Sequence, residues 1–173
     1  YFVRGFASAM DGKIKESKQY LSEIQAIRKK GFRENYFKRI EYLQVWELEI
    51  QTAIKLFEKD YKAAIELAKQ AVLLEEKLPA PSGPPRILKP SYELLGEVYL
   101  KSGKSIQAYE KFSISLLRHP NRIRSLVGAA RAADAKGDRE AAMENYQQVF
   151  KQFKNANSEL PELGEARKFL KGK

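Results

Sequence analysis

Few residues in this chain are of types and spacings that do chemistry. His119 is the single histidine and there is no cysteine, so a metal site or a nucleophile–base arrangement would have to be built around His119 without a thiolate. It stands between Arg118 and Pro120 in a stretch that reads as a turn, and an exposed turn histidine is the plainer reading. Glu93 and Glu97 are four apart and share one face of a helix. Paired carboxylates perform acid–base work only where a dry cleft separates their pKa values; otherwise they are a solvated face, or a face turned to a partner. The run "RKKGFRENYFKR", Arg28 to Arg39, interleaves six basic residues with Phe32, Tyr36 and Phe37. Such a run can grip phosphates and stack bases, or it can be an amphipathic helix with a basic edge. No glycine-rich phosphate loop accompanies it. No catalytic, cofactor or metal residue is therefore assigned, and a non-enzymatic role is expected.

The elements that must position these residues are helices. Apolar residues recur at helical spacing along the chain, and no useful stretch alternates as a strand would. Asp11-Gly12-Lys13, Ser102-Gly103-Lys104 and Lys136-Gly137-Asp138 are short polar turns in which glycine supplies a left-handed helix end. Lys59-Asp60-Tyr61 reads as a fourth such turn without glycine. The step from Gly103 to Gly137 is 34 residues, while the steps from Gly12 to Lys59 and on to Gly103 are 47 and 44. A fixed period near 34 marks a stacked helical repeat, and the longer steps require insertions. The first insertion is read as a helix lengthened through Glu34 to Glu58, after a turn at Lys29-Lys30-Gly31. The second is "KLPAPSGPPRILKP", Lys77 to Pro90, which holds five of the seven prolines and is expected to be an extended loop. That loop is either a lid or docking element over a groove, or a tolerated insertion.

In "YELLGEVYLKSGKSIQAYEKF", Tyr92, Leu95, Gly96, Tyr99, Gly103, Ala108, Phe112 and the later Pro120 resemble the tetratricopeptide repeat. Small residues there let two helix backbones cross closely while aromatics fill the space around them. Gly137, Ala142 and Tyr146 keep the pattern in a fourth pair, although Leu126, Ala129 and Ala130 replace its aromatic, leucine and glycine. Tyr1, Gly5, Gly12 and Leu21 suit a first pair, with Ser17 where alanine is usual; Leu48, Ala64, Ala68 and Ala71 suit a second. The segments "SLLRHPNRIRSLVGAARAADAKGD" and "LPELGEARKFL" also resemble the C-terminal half of bacterial tetratricopeptide-repeat proteins with no assigned reaction.

The resemblance implies an all-α, right-handed α-solenoid, a single domain over 1–173. Its helix pairs are expected at roughly 1–30, 34–76, 90–119 and 122–154, with a proline-rich loop at 77–90 and a C-terminal capping helix at 161–170. It further implies a protein-interaction scaffold whose first helices line a concave groove for a peptide or protein partner. That assigns Phe2, Phe6, Glu49, Leu56, Glu93, Glu97, Leu100, Arg124 and Arg131 to the groove, with Met10, Trp46, Ala53 and Val127 nearby. Several of these would equally serve to pack one pair on the next. Glu93 and Glu97 stand where carboxylate-clamp members of the family place basic and amide residues, which argues against that clamp. Nucleic-acid or anionic-surface binding through residues 28–39, or a role as a regulatory or assembly module of a larger protein, are the alternatives.

The remaining bulk properties set limits. The chain has 173 residues and 32 basic against 22 acidic groups, a net charge of +10; a solvated lysine-rich surface and attraction to an anionic partner both fit this. No stretch of eighteen apolar residues suggests a membrane span. The chain starts at Tyr1, inside a helical pattern, so it is expected to be a fragment or processed form with any targeting signal upstream.

Overall fold

A computed structural model describes residues 1–33, 37–78, 88–153 and 160–172, with backbone alone for 32, 33 and 37–40. Among them there are nine helices and no strand: α1 (Phe2–Met10), α2 (Ile14–Arg33), α3 (Phe37–Phe57), α4 (Tyr61–Lys77), α5 (Ser91–Lys101), α6 (Ser105–Arg118), α7 (Ile123–Ala135), α8 (Arg139–Phe153) and α9 (Pro161–Lys171). None is long and apolar enough to cross a membrane. The chain divides into two compact units, Tyr1–Leu94 and Leu95–Lys173.

The turns after α1, α3, α5 and α7 share one hydrogen-bond pattern. An N–H one residue past the turn reaches back five positions: Lys13 to Ser8 at 2.8 Å, Asp60 to Lys55 at 2.9 Å, Lys104 to Tyr99 at 2.9 Å and Asp138 to Ala133 at 2.9 Å. Each satisfies a carbonyl that a helix end leaves open, and each requires a left-handed residue just before it. That residue is Gly12, Gly103 or Gly137, with φ of +77°, +76° and +86°, and Lys59 with φ of +60° in the remaining case. A Cβ at Gly103 or Gly137 would meet nothing within 4 Å, so there the glycine answers to backbone angle alone. Asp60 then caps α4 by accepting from the Ala63 N–H at 3.1 Å, and Asp138 caps α8 by accepting from Ala141 at 3.0 Å.

One expected turn is absent. Helix α2 runs unbroken through Lys29-Lys30-Gly31 to Arg33. A single interior glycine costs a helix only about 1 kcal/mol, and Arg28 is clamped one turn earlier by a two-pronged pair with Glu47 of α3, at 2.5 and 3.1 Å.

In unit 1, α1 packs on α2 and α3, and α3 on α2 and α4. Phe2, Ala9, Leu21, Ile24, Ile50, Ala53 and Ile54 form its core. Ala64, Ala68 and Ala71 are fully buried at helical spacing on α4, which brings its backbone close to α3. Ser17, which replaces the usual alanine, is also fully buried, and its hydroxyl donates to the Gly5 carbonyl at 2.8 Å.

In unit 2, α7 packs on α6 and α8, and α9 lies on α8 and α7. Leu126, Val127, Ala130, Tyr146, Val149, Leu163 and Ala166 are its core. The Phe112 ring of α6 is wedged between two glycines: a Cβ on Gly96 of α5 would stand 3.0 Å from it, and one on Gly128 of α7 only 2.3 Å. Pro161 opens α9 at a position where its missing N–H costs nothing. The proline-rich stretch is described only at its ends, since 79–87 lie outside the described residues.

Candidate functional site

The groove residues fall into sets, one per unit. In unit 1, α1 and α3 bring Phe2, Phe6 and Trp46 together. The Phe2 ring stacks on Trp46 with centroids 5.4 Å apart and lies 5.8 Å from Phe6. Phe2 is buried, Phe6 and Trp46 are half-buried, and Met10 is 41% exposed. The result is an aromatic ledge whose outer edge is wet.

Glu49, Leu56 and Glu93 do not stand on an open surface. Leu56 is 5% exposed, while Glu49 and Glu93 are fully buried. The helix face that carries them turns inward because polar partners from distant segments meet it. Ser91 Oγ donates to Glu49 Oε1 at 3.2 Å, and the Ser91 N–H donates to Glu75 Oε2 at 2.7 Å. Lys89 Nζ donates to Glu93 Oε1 at 2.9 Å, with both side chains nearly dry. Glu49 Oε2 and the Trp46 indole N–H are buried with no hydrogen-bond partner among the described residues. Burial first, and then the charge of Glu75, hold the Glu49 carboxyl well above the usual carboxylate range; Ser91 and Lys89 oppose this, and Glu93 adds to it. The sequence missed this cluster. Its signal was a glutamate inside the apolar stretch "VWELEIQTAI" and a lysine held between Leu88 and Pro90.

In unit 2, Glu97 and Leu100 are half-buried and share a face of α5, and Arg124 on α7 is exposed. Arg131 is also exposed, but its guanidinium is committed: Nε donates to Glu165 Oε1 at 2.8 Å and a terminal nitrogen donates to Oε2. Tyr146 donates to the same Oε1 at 2.7 Å, and its ring meets Phe169 at 4.6 Å. Arg131 thus fastens α9 to α7 instead of waiting for a partner. The hydrogen bond from Arg131, followed by that from Tyr146, pulls the Glu165 carboxyl below its ordinary range against an opposing desolvation, and burial with the Glu165 contact raises the Tyr146 phenol.

A group whose folded pKa is depressed stabilises fully above its unfolded pKa and loses that contribution as pH falls through the folded value. Acidification below the ordinary glutamate range is therefore expected to loosen α9 first. The pair is half exposed, at 52% and 32%, so the loss is about 1 kcal/mol. Amide exchange in α9 should rise at acid pH in the parent protein and show a weaker acid dependence in Arg131→Gln, where the Tyr146 hydrogen bond to Glu165 remains.

His119 is half-buried at the end of α6, its N–H bonded to the Ser115 carbonyl at 2.8 Å. Among the described residues no group of three or more His, Cys, Asp or Glu is arranged to hold a metal ion. Of the basic run, Phe32, Tyr36 and Phe37 lie outside the described side chains, Lys29 and Lys30 are exposed, and Arg28 is paired with Glu47. An open depression at the start of α2, lined by Gly12, Lys13, Ile14, Lys15, Glu16 and Gln19, has only exposed or half-buried walls. No protein-family model, no curated protein and no solved structure matches the chain.

Proposed function

We propose that the chain is a tetratricopeptide-type solenoid of about four helix pairs closed by α9, acting without catalysis as a scaffold for a peptide or protein partner. The observation that carries this reading is the shared hydrogen-bond pattern of the turns after α1, α3, α5 and α7. Four like joints between successive helices support one repeated helix pair, and in solenoids of such pairs the first helices form a binding face. Two features support a protein partner in particular. Phe6 and Trp46 offer half-exposed aromatic surface, the residue type that anchors interfaces. Leu100 is half-buried and Arg124 exposed, an apolar and a basic residue within unit 2. Arg28 is held by Glu47, which leaves the nucleic-acid reading without its first contact.

The test is affinity capture with the immobilised chain, then a binding titration against the captured protein. Leu100→Asp combined with Arg124→Glu is expected to weaken that binding about tenfold or more while the helical circular dichroism stays unchanged. Binding at the parental affinity with helicity intact would remove this face from the function.

A further inference from the structure

We propose that Glu49 is a proton-operated latch that fastens the first turn of α5 to α3. The inference stands on geometry within unit 1 and does not depend on any partner. Glu49 is fully buried, and α5 begins against it: Ser91 Oγ meets its Oε1 at 3.2 Å while the Ser91 N–H is held by Glu75 of α4 at 2.7 Å. The second oxygen of Glu49 meets no donor among the described residues. An ionised carboxylate presents about four lone-pair sites for donors, and one buried donor does not satisfy them. A neutral carboxyl has smaller needs: the carbonyl oxygen accepts from Ser91, and Oε2 carries the proton.

Among the described residues, the charged groups that act on Glu49 are Glu75 from α4, which repels its negative charge, Glu93 from the entry to α5, which adds to that repulsion, and Lys89, which opposes it while donating to Glu93. Burial penalises the added charge and Glu75 repels it, so release of the proton is favourable only when the Ser91 turn opens and admits water.

The sign follows directly. The folded state holds this proton more tightly than the unfolded chain, so the latch is fully closed below the ordinary glutamate range. It weakens as pH rises through the raised folded value. This is opposite to Glu165, whose hold on α9 is lost toward acid.

The test combines carbon-13 titration of labelled glutamate carboxyls with amide exchange, corrected for intrinsic rates, on the same protein. One carboxyl, absent from Glu49→Gln, is expected to titrate well above the others. Across that step, protection of the Ser91 and Leu94 amides should fall about tenfold per pH unit, while Leu21 and Ile24 of α2 hold theirs. In Glu49→Gln the Ser91 and Leu94 protection should no longer depend on pH. Should that variant not fold, Ser91→Ala serves instead. It removes the hydroxyl by which Glu49 holds α5 and the hydrogen bond that favours the ionised form, so the Glu49 titration must move upward while the Ser91 and Leu94 amides lose protection at acid pH. Titration of Glu49 in the ordinary range, a protection step retained in the glutamine variant, or an unmoved midpoint in Ser91→Ala would each overturn the latch.

Discussion

Phe112→Ala is expected to lower the stability of unit 2 by about 3–5 kcal/mol, as large aromatic truncations in closed cores do. The ring is fully buried, and it fills the slot that Gly96 and Gly128 leave open from either side. Removing it strips packing from α5 and α7 at once, and neither helix can collapse into the void without leaving its own neighbours. The converse substitution tests the same slot. A Cβ at Gly128 would overlap the ring at 2.3 Å, and a Cβ at Gly96 would stand only 3.0 Å from the same ring. Gly128→Ala should therefore cost about 1–3 kcal/mol by overpacking. Urea unfolding followed by circular dichroism reads both. A Phe112→Ala loss under about 1 kcal/mol would mean that the slot closes freely.

Glu93→Leu carries the second large effect. Lys89 and Glu93 are 7% and 0% exposed at their side chains, so the substitution strips a buried ammonium of a carboxylate it was folded against. Breaking a buried pair from one side costs about 3–5 kcal/mol, whereas replacing both members with apolar groups of similar size is often near neutral. Glu93→Leu should unfold at markedly lower urea than the parent, and Lys89→Met with Glu93→Leu should recover most of the difference. If the double variant is as unstable as the single one, the pair is not what Glu93 contributes.

How far the sequence could be read depended on the range of the contacts involved. The joints at Gly103, Gly137 and even Lys59 were legible because a left-handed residue between two amphipathic stretches is a local signal. Gly31 carried the same letter without that role, since α2 runs on through it to Arg33. Glu93 and Glu97 are indistinguishable by spacing. What separates them is Lys89 and the depth to which each end of α5 sinks, and neither follows from a four-residue interval. Glu49 finds Ser91 across 42 residues, and Arg131 finds Glu165 across 34. No local pattern announces such partners, so two acids and a base that read as groove residues became structural. Of the remaining groove residues, Arg124 is exposed, Glu97 and Leu100 are half-buried, and Phe6 is half-buried against the core of unit 1.

The seat of α9 has a consequence for how the chain ages under heat. Arg139 donates to the Gly172 carbonyl at 3.1 Å and lies over the Phe169 ring at 5.2 Å, closing a noncovalent loop of 33 residues. Closing that loop costs entropy that only half-exposed charges and one apolar face repay. The clasp is thus expected to slip on warming before α7 and α8 separate. Once it slips, Leu126, Val127 and Tyr146 lose the cover that Leu163 and Ala166 gave them. The freed helix becomes a substrate for proteases, and the bared patch becomes sticky toward other molecules like itself. Clumping in this protein would begin with the loss of its last helix, while most of its helicity is still intact.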